Sequence, residues 1–291
     1  MSFFSKKSRS PHALPAIWAA LVLLATSSCN LTKDVDIDLP DYERQPVVEC
    51  YLEPGKPFRL LLSQSYAFFD PFGLDSNFLN RTLLQDAEVR ISYAGNTVIL
   101  DNTFSFEVSP FKLFNYTAAE TVPYNPGTEY NLYIRLPNGL EVTGSTVMLP
   151  RVPIDSIKVE FNEGPNSKAR VLTYISDDPA QENYYRRMLN YGSLDSVPVQ
   201  DFIFPDRTAT NSMIAFGTSY ELIEGDTVFN TVFHISREYY DFIESLQLAV
   251  LGNVNPFAQP SPVKSNVQGS ADPIGIFTGL SYVRDTTIIA R

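Results

Sequence analysis

The chain has 291 residues, 44% hydrophobic and 13% aromatic, with 22 Lys+Arg against 33 Asp+Glu and a formal net charge of −11. An acidic balance of this size repels nucleic acid and anionic lipid headgroups, which excludes nucleic-acid binding and attachment through a polybasic patch. Two cysteines, two histidines and one tryptophan leave little material for a disulfide framework, and no cofactor or metal site is expected.

The first 28 residues read as a targeting segment. Lys6, Lys7 and Arg9 precede an apolar stretch from Ala13 to Ala25, and the small residues Thr26, Ser27 and Ser28 stand directly before Cys29. The apolar run is shorter than the ~20 residues that cross a bilayer, and Pro15 interrupts its start. Cys29 is therefore the candidate lipid acceptor. Thr26 stands where a bacterial lipoprotein box usually has leucine, and the same layout also serves an ordinary secretory signal cleaved near Ser28.

Removing the leader leaves 263 residues, long for one sandwich and comfortable for two domains. It also removes three basic and no acidic residues, so 19 Lys+Arg face 33 Asp+Glu and the mature charge is −14. Residues 29–43 carry Asp34, Asp36, Asp38 and Asp41 and read as an acidic tether. A calcium loop would need a tight turn that this stretch does not supply.

Residues 44–150 alternate short apolar runs with turn signals, as antiparallel sheets do. Val47–Leu52 and Phe58–Ser63 flank Glu-Pro-Gly-Lys-Pro, Ala87–Tyr93 and Thr97–Leu100 flank Ala-Gly-Asn, and Glu129–Leu136 and Leu140–Met148 flank Pro-Asn-Gly. Each predicts a hairpin. Tyr130, approached through Tyr124-Asn-Pro-Gly-Thr-Glu, is placed like the corner tyrosine of immunoglobulin- and fibronectin-like sandwiches. Cys50 sits in the first strand without a basic neighbour and reads as a small buried residue rather than a nucleophile. Pro150 and Pro153 suit a junction.

Residues 154–291 open with strands over Ile154–Phe161 and Ala169–Ser176, followed by Tyr184–Tyr191 and Thr227–Ile235. A helix is predicted at about 236–251, capped by Ser236, with Tyr239, Phe242, Ile243, Leu246 and Val250 forming an apolar stripe that reads as a core face. The fold class is mainly β: two tandem antiparallel β-rich domains, the first an immunoglobulin- or fibronectin-like sandwich, the second a sandwich or partly open barrel with one amphipathic helix.

No catalytic signature emerges. His234 has apolar neighbours and reads as a structural histidine, no Gly-x-Ser-x-Gly elbow or phosphate-cradling glycine loop is present, and Asp177-Asp178-Pro179 reads as a solvated turn. Paired carboxylates brought together by the fold remain a third route, to a hydrolase. Tyr66, Phe68, Phe69 and Phe72 cluster around Asp70-Pro71 and suit either an interaction loop or a packed plug under a long loop. Asp-Ser/Thr triplets at Ser156, Ser196, Thr227 and Thr286 match an O-glycosylation signal and equally a turn entering a strand.

Several stretches together carry a family resemblance: Asp36-Ile-Asp-Leu-Pro-Asp-Tyr42, Pro46-Val-Val-Glu-Cys-Tyr-Leu-Glu-Pro-Gly55, Ser65-Tyr-Ala-Phe-Phe-Asp-Pro71, Asn183-Tyr-Tyr-Arg186, Asn255 to Asn266 and Gly275-Ile-Phe277. In order and spacing they resemble the Bacteroidota lipoproteins catalogued as domain of unknown function 4249, with Cys50 where relatives tend to have glycine. The resemblance covers nearly the whole mature chain. It implies an outer-membrane lipoprotein, commonly encoded beside a TonB-dependent receptor, with no established enzymatic activity. The expected function is a non-catalytic binding or accessory subunit of a TonB-dependent uptake complex, anchored by lipid to a leaflet face left open; an independent surface binder or adhesin is the alternative.

Overall fold

A computed structural model of the chain describes residues 43–66, 78–108, 111–208, 212–254 and 261–291. The targeting segment, Cys29 and the acidic tether lie outside the described residues.

The first half runs β1 (Pro46–Leu52), β2 (Pro57–Gln64), a short helix α1 (Phe78–Thr82), β3 (Glu88–Tyr93), β4 (Asn96–Leu100), β5 (Ser105–Val108), β6 (Phe111–Phe114), β7 (Tyr116–Thr121), β8 (Glu129–Arg135) and β9 (Glu141–Val147). The three predicted hairpins are present as β1–β2, β3–β4 and β8–β9. In the second, Ala94 and Gly95 both take positive φ, at 46° and 80°, the backbone a two-residue turn needs between right-twisted strands. Period-two alternation puts Val48, Cys50 and Leu52 of β1 and Phe58, Leu60 and Leu62 of β2 in one core with Val89, Ile91, Leu132 and Ile134 of the facing sheet. Tyr130 is fully buried there, and its hydroxyl donates to the Pro123 carbonyl at 3.2 Å, as a corner tyrosine does.

The second half continues with β10 (Ile154–Phe161), β11 (Ala169–Ser176), β12 (Tyr184–Tyr191), β13 (Gln200–Pro205), β14 (Met213–Gly217), β15 (Thr227–Ile235), α2 (Arg237–Val254), β16 (Val267–Gly269), β17 (Ile274–Gly279) and β18 (Ser281–Ile288). A three-stranded sheet, β10-β11-β14, faces a four-stranded one, β13-β12-β15-β18. Among the described residues no sheet closes into a barrel, so the second body is a sandwich.

The strands divide at residues 150–154 with two exceptions. β16 pairs with β9, and β17 lies parallel to β1 with Cys50 opposite Phe277, so both return to the first body. The first body is thus a four-stranded sheet, β17-β1-β2-β7, over a five-stranded one, β16-β9-β8-β3-β4. β17 is covered on both faces: Phe277 joins the first core, while Ile276 meets α2. Gly275 permits the pairing, because a Cβ there would collide with the Val48 carbonyl oxygen and its φ is 138°.

The predicted helix is present, with the Ser236 hydroxyl accepting from the Tyr239 N–H at 3.2 Å. Tyr239 and Phe242 are buried against Tyr184, Phe233 and Ile276, so α2 wedges between β17 of the first body and β12 and β15 of the second. The stripe does not stay covered along its length: Leu246 is 43% and Val250 57% exposed, because the helix runs on past the sheets it packs against.

Candidate functional site

The polar residues with unusual surroundings lie inside the second body and at the joint around α2. At one end of the second body, Asp177 follows the end of β11 and accepts from the Tyr185 hydroxyl at 2.6 Å and from Asn183 Nδ2 at 3.2 Å. His234 stacks on Tyr185 at 5.5 Å, donates through Nδ1 to the Pro150 carbonyl at 2.8 Å, and holds Nε2 3.2 Å from Asn183 Oδ1. Burial lowers the His234 pKa, against the opposing pull of the Pro150 bond and the Asp177 charge. This arrangement makes His234 the bonded structural residue that its apolar neighbours suggested.

A cleft of about 530 Å³ opens beside it, lined by Asp177, Gln181, Glu182, Asp206, Arg207 and Ser212. Its acids are engaged. Asp206 accepts from the Asn183 backbone N–H at 2.5 Å, and Glu182 pairs with Arg207 at 2.6 Å and Arg237 at 3.6 Å. The Arg207 bond lowers the Glu182 pKa, the opposite of what a general acid requires. Among the described residues no three His, Cys, Asp or Glu side chains are grouped to hold a metal ion.

Deeper in the same core, Arg187 is fully buried between two apolar clusters. Its Nε donates to Asn230 Oδ1 at 3.0 Å and its Nη1 to Gln200 Oε1, its guanidinium lies 4.9 Å from the centre of the Phe216 ring, and Asn230 in turn donates to Thr173. Burial lowers its pKa to about 10. At the joint, Arg186 grips Asp201 through two bonds of 2.7 and 2.6 Å and donates to the Tyr239 hydroxyl at 2.7 Å. The Tyr239 ring meets Tyr51 edge-on at 5.9 Å, and Tyr51 donates to Glu49 at 3.4 Å. Desolvation raises the Glu49 pKa, while the Tyr51 bond and Lys112 oppose it. Cys50 is fully buried, its thiol donating to the Arg59 carbonyl at 3.4 Å and its pKa pushed up by burial, as an inert packing residue would be.

The sequence-predicted interaction residues fall mostly elsewhere. Phe68, Phe69 and Phe72 lie outside the described residues. Tyr66 is half-buried, stacked on Phe78 at 6.4 Å, under the Arg44 guanidinium at 5.1 Å, and bonded to the Thr82 hydroxyl at 2.8 Å. Of the candidate glycan acceptors, Ser156 on β10 and Thr286 on β18 are exposed, and Thr227 is half-buried at the start of β15. Ser196 is half-buried and donates to the Ser193 and Tyr191 carbonyls at 2.6 and 3.1 Å.

Among the described residues, the β5–β6 hairpin departs from ordinary surface chemistry. Phe106 pairs with Leu113 and Val108 with Phe111, so these four side chains share one face, and Phe104 lies 6.3 Å from Phe106. That face is turned outward: Phe104 is 48%, Phe106 58%, Val108 76% and Phe111 68% exposed. The other face carries Glu107, Lys112 and Phe114 and turns to the body, where Arg59 pairs with Glu107 at 2.7 Å and stacks on Phe114 at 4.3 Å. The hairpin is amphipathic with its apolar side to solvent, and such patches mark binding surfaces. Sequence reasoning missed it, although the alternation Phe104-Ser-Phe-Glu-Val108 was its signal.

The model of the family described as "Domain of unknown function (DUF4249)" matches residues 32–286, and the chain belongs to that family. No curated protein matches the chain.

Proposed function

We propose that this family member is a lipid-anchored protein of the outer membrane that works without catalysis, as a binding or accessory subunit of a TonB-dependent nutrient uptake complex. The observation that carries the reading is a contrast in how the chain spends its side chains. Asp177, Arg186 and Arg187 all have hydrogen-bond partners within the body, while the large apolar side chains of Phe104, Phe106, Val108 and Phe111 on and beside the β5–β6 hairpin face solvent. The leader ending at Cys29 supports an acyl anchor, the mature charge of −14 leaves no electrostatic route to an anionic membrane, and the family resemblance implies the receptor as neighbour. The exposed hydroxyls of Ser156 and Thr286 leave room for O-linked glycans, which a mass shift on those two residues would reveal.

The test is purification of a C-terminally tagged protein from mild-detergent outer membranes beside a Cys29→Ala form. A stoichiometric TonB-dependent receptor, lost or reduced with Cys29→Ala, is the expected result. Purification of the chain alone would refute the accessory role and turn attention to an independent surface binder.

A further inference from the structure

We propose that the C-terminal half of α2 dips into a zwitterionic phospholipid surface, a second membrane contact beside the acyl anchor. This rests on the lipid-anchored reading above and adds to it the part of the body that touches the bilayer.

Three observations select lipid as the occupant. First, the end of the helix is apolar on opposite sides. Leu246, Leu248, Val250 and Leu251 are 43%, 52%, 57% and 67% exposed. At about 100° per residue, Leu246 and Val250 continue the stripe that Tyr239 and Phe242 bury, whereas Leu248 and Leu251 point away from it. A groove on a protein covers one stripe of a helix. Covering both sides takes a medium that surrounds the tip.

Second, entry of the tip desolvates no charge. Arg237, Glu238, Asp241 and Glu244 all lie in the first half of α2, and no charged residue stands between Glu244 and Lys264. The mature charge of −14 repels anionic headgroups, which leaves a zwitterionic surface as the fitting one. Among the described residues no helix is long and apolar enough to cross a membrane. The tip therefore stops at the boundary of headgroups and acyl chains, where water still reaches its last carbonyls. A second copy of the chain fits less well, since two bodies of the same large charge repel.

Third, the tip lies at the end of the first body where the chain enters from the tether. Tyr239 meets Tyr51 near the end of β1. Further along α2, the Ser245 hydroxyl accepts from the Lys264 N–H at 2.9 Å, and the adjacent Ser265 hydroxyl accepts from the N–H of Gly275, which lies opposite Val48. The helix thus runs against β1, back toward Pro46. Leu251 lies about 9 Å beyond Ser245 along the helix axis, and Pro46 about 7 Å before Val48 along the strand, so the tip is level with the start of β1. Residues 29–43 reach at most about 50 Å from Cys29, and an anchor there holds the tip at high effective concentration beside the surface.

The experiment places the mature, lipidated chain on vesicles of phosphatidylcholine brominated along its acyl chains. The only tryptophan, Trp18, is in the leader, so Leu251→Trp gives the mature chain a single fluorophore; Phe106→Trp on the hairpin and Ser156→Trp on β10 are the comparisons. Emission from position 251 is expected to shift to shorter wavelength and be quenched by the bromolipid, with positions 106 and 156 unaffected. A second arm floats the mature chain carrying Cys29→Ala, made without its leader, on the same lipid. Leu248→Glu with Leu251→Glu should leave the melting temperature unchanged, because both residues are exposed, and lower flotation at least roughly tenfold. No quenching at 251, equal quenching at the three positions, or flotation indifferent to the glutamate pair would overturn the proposal. So would self-association lost in that pair, which would assign the tip to a second copy. A native chain that floats no better than its Cys29→Ala form would remove the acyl anchor while leaving the result at the tip standing, so the two readings fail separately.

Discussion

Arg187 carries its charge into a core where its bonded partners are amides and an aromatic ring, not a carboxylate. Desolvating a cation is costly, and the planar fork offsets that cost by reaching Asn230 and Gln200 at once. Lysine carries its three donors on a single nitrogen and lacks the fixed spread of the fork. Arg187→Lys should therefore leave one of those carbonyl oxygens unpaired and destabilise by about 2 kcal/mol, read from urea unfolding. His234 makes stability depend on pH. Its folded pKa lies below the ordinary 6.5, so near pH 6 the native ring binds fewer protons than the unfolded one. The contribution to stability is present above pH 6.5 and declines as pH falls toward the folded pKa. The charge beside the ring belongs to Asp177, which accepts from the neutral Tyr185 phenol stacked on His234. Melting temperatures taken from pH 7.5 down to 5 should fall more steeply for the native chain than for His234→Gln. Parallel curves would show that His234 does not set this pH dependence.

Among the elements, α2 and β17 decide how the two sandwiches are joined. Ser236→Ala removes the bond to the Tyr239 N–H and should cost about 1 kcal/mol, the usual worth of an N-cap. Phe242→Ala should cost about 3–5 kcal/mol because Phe242 is buried in the joint, while Leu246→Ser on the exposed half should cost less than about 0.5 kcal/mol. Gly275→Ala should separate β17 from β1 and cost several kcal/mol by the same unfolding measurement, since the new Cβ meets rigid backbone at Val48. Much at this scale was legible in the sequence. Gly139 and Gly95 mark their turns because glycine takes positive φ at no steric cost, and the Ser236 cap with Tyr239 and Phe242 marks the helix. The pairing of β17 with β1 was not, because parallel partners more than 220 residues apart leave no local turn signal. Nor was the orientation of β5: Ser-Phe-Glu-Val alternates like any half-buried strand, and alternation says which residues share a face but not which face meets water. The bonded clusters around Asp177 and Arg187 were illegible for the same reason, each joining residues from several strands that nothing local links.

At the scale of the whole molecule, the chain closes on itself at its end. After building the second body it returns β16 and β17 to the first and then lays β18 on the second, so Val267 and Phe277 complete a core begun at Val48. A fragment of residues 44–153 would lack both strands and expose one edge of each first-body sheet; it should elute as an aggregate or an unfolded chain in gel filtration. Recovery of a monodisperse, cooperatively melting fragment would contradict this dependence. A pair of sandwiches whose polar interior is turned inward and whose β5–β6 hairpin turns its apolar side outward is the arrangement that the proposed binding role requires. The most direct measurement is photo-cross-linking in intact cells from a benzoylphenylalanine placed at Phe106, beside a control at exposed Ser156 on β10. If the hairpin is the binding surface, position 106 gives one dominant adduct with an envelope protein and none shared with position 156. No adduct at 106, or the same adducts from both positions, would contradict it.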